Sequence, residues 1–308
     1  MGEKMRNVII TGGSGFIGRW LTKEMIENGV NVTLIVRDRA KVSDEIKNSK
    51  MVKIVEGLIE TLEASDFRGD QYDCFYHLAW DGVASDKKNN VDVQLANIKL
   101  AISAMELANE LKCKRFIAAG TVAEYVFSKD IMNFTEKQTP NDMYGAAKTS
   151  THYFLDVRAR QLDQEFNWVI IPSTFGEYRE DNNIITYTIR TLLRGDKPLY
   201  GELTQMWDFL YVAEVAKALR LVGEKGKSGT IYGIGSGVFK PLKNYVLEIR
   251  DLINPELPLG IGEKKGMDVK TFSSCVNTID LIRDTGFVPT VSFSEGIRRT
   301  IDYWSRLN

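Results

Sequence analysis

Histidine is nearly absent from this chain of 308 residues, which holds only His77 and His152. Two such side chains cannot build a multi-histidine metal site. A Ser-His-Asp hydrolase would have to be centred on one of them, and both sit inside apolar patterns that read as packed core. Cysteine is scarce too: Cys74, Cys113 and Cys275 are widely spaced, odd in number and never at metal-ligand spacing. That argues against a disulfide framework or thiolate zinc site and reads as a reduced, cytoplasmic chain. Excess charge is missing as well, since 40 Lys and Arg face 41 Asp and Glu for a net charge of −1. A nucleic-acid partner held by a strong basic field is therefore not expected. Long apolar runs are missing: pieces such as Val8-Ile9-Ile10 fall far short of the ~20 residues that cross a bilayer, so no membrane partner is expected. A β-pattern begins by about Arg6, leaving no room for a signal peptide.

What is present is ordinary for a packed chain, with 44% hydrophobic and 26% charged residues. The length is about twice the ~150-residue prior for one domain, so one or two domains are expected. The first two-thirds alternate short β-branched runs with longer helical patterns, the signature of βαβ units. Residues 6–10, 32–36, 51–56, 74–79, 114–120 and 168–172 read as strands. Residues 16–29 (closed by Gly29), 93–111 and 143–162 read as helices. The fold class is α/β, a doubly wound parallel Rossmann sheet with a smaller C-terminal substrate-binding region. Short helices are expected at 183–194, 212–222, 241–253 and 293–306, with a glycine-rich strand and turn at 229–237. The expected division is 1–172 plus about 209–232 for the dinucleotide, and 173–208 plus 233–308 for the substrate.

The segment TGGSGFIG lies between the first strand and the first helix. Gly13, Gly15 and Gly18 fit one dinucleotide-binding spacing; Gly12, Gly15 and Gly18 fit the related pattern of a glycine every third residue. Missing Cβ atoms let the backbone approach a pyrophosphate, and the helix start at Phe16, Ile17 and Gly18 offers unpaired N–H groups. A glycine turn alone is weak evidence; this one sits in the strand–turn–helix context that gives it meaning. At the end of the second strand stand Arg37 and Asp38. A guanidinium at Arg37 suits a 2′-phosphate, which favours NADP, while Asp38 keeps NAD open and a plain solvated turn is the third reading.

Tyr144 and Lys148 lie four residues apart, on one helix face. A neighbouring ammonium favours the phenolate and should lower the tyrosine's pKa. Lysine can also donate to ribose hydroxyls. Thr121 ends the strand 114–120 at the carboxyl edge of the sheet, where its hydroxyl can meet a substrate oxygen.

Taken together these residues resemble the extended short-chain dehydrogenase/reductase family, in its nucleotide-sugar epimerase, dehydratase and reductase branch. The likeness spans nearly the whole chain, in the family order. It implies Thr121, Tyr144 and Lys148 as the catalytic set, Ala79 in FYHLA beside the cofactor, and Asn97 as support for the active-site strand. WDFLYVAEVAKAL (207–219), GTIYGIGSG, DTGFVP and FSEGIRRTIDYW also resemble family segments. It further implies a homodimer through the helices at 93–111 and 143–162. Departures matter as well. Val122 and Ala123 replace the Asp-Glu pair of the dehydratases, which disfavours dehydration. Leu58 after Gly57 replaces the carboxylate that meets adenine. Trp207 stands where an arginine commonly binds the diphosphate, and Ser173 stands where asparagine is usual.

Trp80 and Asp81 follow the fourth strand and could present an aromatic face and a carboxylate to a sugar, or form a plain anchored loop. Lys264 and Lys265 could meet a diphosphate or form a solvated turn. Trp168, Phe154 and Trp304 fit element cores. The expected activity is an NADPH-dependent reduction of a nucleotide-linked 4-keto (6-deoxy) sugar, with Tyr144 donating the proton. The alternatives are an NAD-dependent nucleotide-sugar 4-epimerase and a non-catalytic NADP-binding relative.

Overall fold

Alternation of apolar residues along one strand decides how the core divides. Val8 and Ile10 are buried on one side of the first strand and Ile9 on the other, each fully enclosed. The computed structural model describes residues 5–67, 71–83, 86–125, 131–264 and 274–307. In chain order the elements are β1 (Asn7–Thr11), α1 (Phe16–Glu27), β2 (Asn31–Val36), α2 (Asp44–Lys47), β3 (Val52–Glu56), β4 (Cys74–His77), α3 (Val91–Glu110) and β5 (Arg115–Thr121). Then come α4 (Met143–Leu162), β6 (Glu165–Ile171), β7 (Ser173–Phe175), α5 (Ile184–Leu193), β8 (Leu199–Tyr200), β9 (Met206–Trp207) and β10 (Phe209–Tyr211). The last are α6 (Val212–Lys225), β11 (Ile231–Gly233), β12 (Lys240–Pro241), α7 (Leu242–Ile253), β13 (Gly260–Ile261), α8 (Ile279–Thr285) and α9 (Phe293–Ser305).

Seven strands form one parallel sheet in the order β11-β6-β5-β4-β1-β2-β3. The order reverses between β1 and β4, which creates a crevice at their carboxyl ends. The fold is thus the doubly wound Rossmann-like sheet that the sequence pattern predicts. One face packs Leu21 and Met25 of α1 against Ala218, Leu219 and Val222 of α6; the other packs α3 and α4 over Phe75, Phe116 and Trp168. A third cluster, with Phe175, Ile189, Tyr245, Ile297 and Trp304, unites the elements after β6. Each fully buried Val, Ile or Phe contributes roughly 1.5–3 kcal/mol. An exposed ion pair such as Arg299–Glu295 contributes about 0–1 kcal/mol, so the layered core carries the stability.

Helix ends follow the capping chemistry. Asp142 accepts from the Gly145 N–H to start α4, and Asp163 closes it in the left-handed region at φ 54°. Asn90 accepts from the Val93 N–H, so α3 begins two residues before the expected start at 93. β6 begins at Glu165 rather than 168 because the polar Glu165 and Asn167 still pair with Arg115 and Ile117. Phe154 is not a core residue: it is 55% exposed, on the side of α4 turned away from the sheet. Trp168 and Trp304 are buried. Among the described residues no helix is long and apolar enough to cross a membrane.

Candidate active site

The glycine loop is built by close backbone approach. Gly12 has φ +75°, and a Cβ there would lie 2.7 Å from the Ala79 nitrogen of the neighbouring strand exit. A Cβ on Gly18 would lie 2.2 Å from the Gly12 carbonyl oxygen, so only glycine lets α1 start this close to the turn. The Gly15 N–H donates to the Gly12 carbonyl at 3.0 Å, and α1 opens at Phe16 without a side-chain cap. Its first N–H groups are left to an anion.

A cleft of about 260 Å³ opens on this turn, lined in part by Gly12, Gly15, Arg37, Leu58, Ala79 and Asn97. Ser14, Glu60 and His77 line it too, although the sequence reading did not single them out for it. Phe16 and Ile17 instead turn their side chains into the third hydrophobic cluster. Arg37 is exposed on the cleft wall just after β2, whereas Asp38 bends back to accept the Ala40 N–H at 2.8 Å. His77 Nδ1 and Thr11 Oγ1 share a hydrogen bond at 3.0 Å, and Nε2 of the same ring is buried with no partner. Burial, helped by the charge of Lys148, draws that imidazole down to about 3, so it stays neutral. A cradle that a Cβ would fill, a free helix start and an orphaned ring nitrogen in the wall all fit a nicotinamide dinucleotide.

Asn97 bonds to a loop rather than to the active-site strand that the family likeness implied. Its side chain takes the Asp81 N–H at 2.9 Å and donates to the Asp81 carbonyl at 2.8 Å, which pins the loop after β4. Trp80 and Asp81 line the same cleft as the glycine loop. The Trp80 indole N–H donates to Gln94 at 3.0 Å, and its ring meets Tyr144 edge-on at 6.2 Å. The Lys148 ammonium sits 3.6 Å from the Trp80 ring centroid. Trp80 is thus the contact between the cleft and the Thr121, Tyr144 and Lys148 group.

Those three side chains are brought together, each at least nine-tenths buried. Thr121 ends β5, and its hydroxyl lies near enough to the Tyr144 phenol to favour the phenolate. Burial pushes that phenol up to about 12; Thr121 acts against the rise and the Glu124 and Asp142 carboxylates add to it. The expected lowering of Tyr144 by Lys148 is not formed. The lysine Nζ donates to the Ala119 carbonyl at 2.7 Å and packs against the Trp80 ring. Burial draws Lys148 down to about 7, against the attraction of Glu124.

Ser173 and Trp207 lie together on the far side, where the indole N–H donates to the serine hydroxyl at 2.7 Å. Trp207 also lines a second cleft of about 330 Å³ with Tyr187, Tyr200, Leu203, Gln205 and Lys264. Gln205 Oε1 is buried there without a partner. Lys265 lies outside the described residues. Sequence reasoning missed this cleft because its residues scatter over α5, two short strands with the turn between them, and the start of α7. It also missed Glu124, whose signal was a lone acid in the otherwise uncharged run Phe116–Val126.

With this geometry in hand, comparison with known proteins is informative. The model of the NAD dependent epimerase/dehydratase family matches residues 8–235. The dTDP-glucose 4,6-dehydratase of Salmonella typhimurium is 24% identical, over 96% of this chain and 92% of that protein. Among solved structures, the UDP-N-acetylglucosamine 4-epimerase of Methanobrevibacter ruminantium, in complex with UDP-N-acetylmuramic acid, superposes with a TM-score of 0.87 at 21% identity, covering 99% of this chain and 100% of that one. The UDP-glucuronic acid 4-epimerase of Bacillus cereus, in complex with NAD, gives 0.85 at 17% identity, covering 98% and 99%. At these identities the structural likenesses establish the fold.

Proposed function

Because the chain belongs to the NAD dependent epimerase/dehydratase family, we propose that it works at the C4 carbon of a nucleotide-linked sugar as an NAD-dependent 4-epimerase. The observation that carries this is the buried group of Thr121, Tyr144 and Lys148, joined through Trp80 to the cleft on the glycine loop. The dinucleotide, when bound, supplies the hydride acceptor and donor. Thr121 holds the C4 oxygen, and Tyr144 moves the proton at that oxygen. The C4 hydroxyl proton has to be taken up first and returned afterwards; burial keeps the phenol protonated at neutral pH, the form that returns the proton, so Tyr144 must lose its own before the first half. Lys148 orients the ribose. Val122 and Ala123 put no acid or base beside Thr121, and Glu124 is enclosed, so loss of water is not supported despite the dehydratase relatives.

The second cleft supports a nucleotide substrate. Tyr187, Tyr200 and Leu203 offer a flat apolar slot, Gln205 an unpaired acceptor, and Lys264 a cation near a diphosphate. We therefore assign 173–208 and 233–308 to the substrate, and 1–172 with about 209–232 to the cofactor. Val91, Leu95, Tyr153, Phe154 and Val157 are exposed on α3 and α4 and support a homodimer packed on those helices.

The 4-epimerases among the structural neighbours support this reading better than the reductase expected from the sequence. Arg37 on the cleft wall is the observation that favours the reductase. One experiment separates them. The protein is incubated with NAD and a panel of UDP- and dTDP-hexoses, its mass is checked by sedimentation, and products are read by NMR. Interconversion of C4 epimers by a dimer, without net reduced cofactor, is expected. Stoichiometric NADPH oxidation with a 4-keto-6-deoxy nucleotide sugar would instead establish the reductase. Cofactor binding without any turnover would mark a non-catalytic relative.

Cofactor choice has its own test. If the adenosine end is built for a 2′-phosphate, Arg37→Ala weakens NADP by roughly 10- to 150-fold, the worth of a charge-assisted hydrogen bond, and NAD little. Under the NAD reading both affinities change equally and slightly. Calorimetric titration of the two cofactors decides.

A further inference from the structure

A carboxylate with no solvent exposure stands directly behind the reactive group. Glu124 is 0% exposed, in the single helical turn Val122–Tyr125 that leaves β5. Its Oε1 accepts the Thr121 N–H at 2.8 Å, and its Oε2 accepts the Gln138 amide at 3.0 Å. The Trp168 indole N–H donates toward both oxygens, at 3.3 and 3.2 Å. Gly120 makes the room: a Cβ there would fall 2.3 Å from Trp168 Nε1 and 2.7 Å from Glu124 Oε1. All three donors are neutral, and a buried carboxylate is costly without an opposite charge. Lys148 is the cation on the same stretch of β5: it holds the Ala119 carbonyl two residues from the peptide that Glu124 holds, and lies 5.9 Å from the ring of the Trp168 that donates to Glu124. Each of the two attracts the other, although burial raises Glu124 to about 7. Neither cleft is lined by Glu124, so it does not touch substrate or cofactor there.

We propose that Glu124 is a positioning residue: it fixes the Thr121 peptide at the end of β5 and stands as the buried counter-charge of Lys148, favouring the ammonium form of that lysine. The proposal rests on the Tyr144–Lys148 reading of the site. The other groups that face the pair are accounted for. On α4 and its cap, Tyr144 is protonated, and Asp142 is paired with Lys88 at 2.8 Å. From β4, His77 is neutral, and Tyr125 is pushed up by burial and by Glu124 itself. Glu124 is therefore the charge that raises Lys148 against its burial.

The sign follows. A lysine drawn down to about 7 loses its proton as pH rises through that value. Removing the carboxylate's charge moves that loss to lower pH. The test uses the whole protein with isotope-labelled lysine, titrated by NMR, the Lys148 signal being assigned by its disappearance in Lys148→Met. Glu124→Gln should lower the Lys148 midpoint by at least ~1 pH unit, as expected when a near opposite charge is lost. Gln138→Leu, which removes one donor and leaves the carboxylate, should shift it the same way by less, and it decides the matter if Glu124→Gln does not fold. In turnover assays the alkaline limb should move to lower pH with the midpoint, whereas a merely structural loss scales activity evenly at all pH. An unmoved midpoint overturns the proposal. The titration needs no substrate, so a wrong sugar assignment would leave its result intact.

Discussion

Tyr144→Phe is expected to cut turnover by at least ~10²-fold, the lower end of what a positioned acid–base group contributes. The change deletes one oxygen from a side chain that is 8% exposed and wedged against Trp80. Phenylalanine fills the same space, so the melting temperature should hardly move. Cofactor affinity should hold as well, since the cleft is lined by the glycine loop and strand exits and not by this ring. The Thr121 hydroxyl can still hold a substrate oxygen, but nothing of suitable acidity remains beside it. Lys148 does not replace the phenol, because its ammonium is committed to the Ala119 carbonyl. Turnover close to that of the unmodified protein, in the product assay by NMR, would take the proton transfer away from Tyr144.

Gly12→Ala is expected to destabilise the fold by about 2–5 kcal/mol and to abolish measurable dinucleotide binding. The left-handed conformation at φ +75° costs any residue with a Cβ roughly 1–2 kcal/mol. Overpacking against a rigid neighbour adds typically 1–3 kcal/mol. Here the neighbour is rigid, since the new methyl group would strike the Ala79 nitrogen and the Leu78 carbonyl carbon, both backbone atoms of the adjoining strand exit. Relief requires β1 and β4 to part at the crevice itself. Thermal unfolding with and without NAD checks both claims: the lower melting point should no longer respond to cofactor. A variant that NAD still stabilises as strongly as the unmodified protein would show that this turn does not hold the pyrophosphate.

The glycine loop was legible in the sequence because its chemistry is local: strand, turn and helix start lie within a dozen residues of one another. Helix α4 was legible for the same reason, with an aspartate at each end to fix its bounds. What depends on distant packing was not. Phe154 has the spacing of a core residue, yet the side of α4 that faces the sheet is chosen by Leu155 and Ala159. Helix α8 is only a single short stretch, Ile279–Thr285, ended by Gly286, too brief to show a period. The partner of Asn97 is a loop peptide that no spacing rule would name. Glu124 was hidden differently: its three donors come from β5, β6 and the loop before α4, which meet only in the folded molecule.

The strand β11 has a bearing on how the protein is made. It is the outermost strand of the main sheet and pairs only with β6, although the chain visits β7, α5, β8, β9, β10 and α6 between the two. During synthesis, then, the hydrogen-bonding edge of β6 is finished long before its cover. At ~5–20 residues per second, the stretch from Pro172 to Thr230 takes the ribosome roughly 3–12 s to deliver. Throughout that interval the nascent chain carries an open parallel edge whose Trp168, Val169 and Ile170 will later be fully enclosed, the kind of exposed strand that chaperones exist to shield.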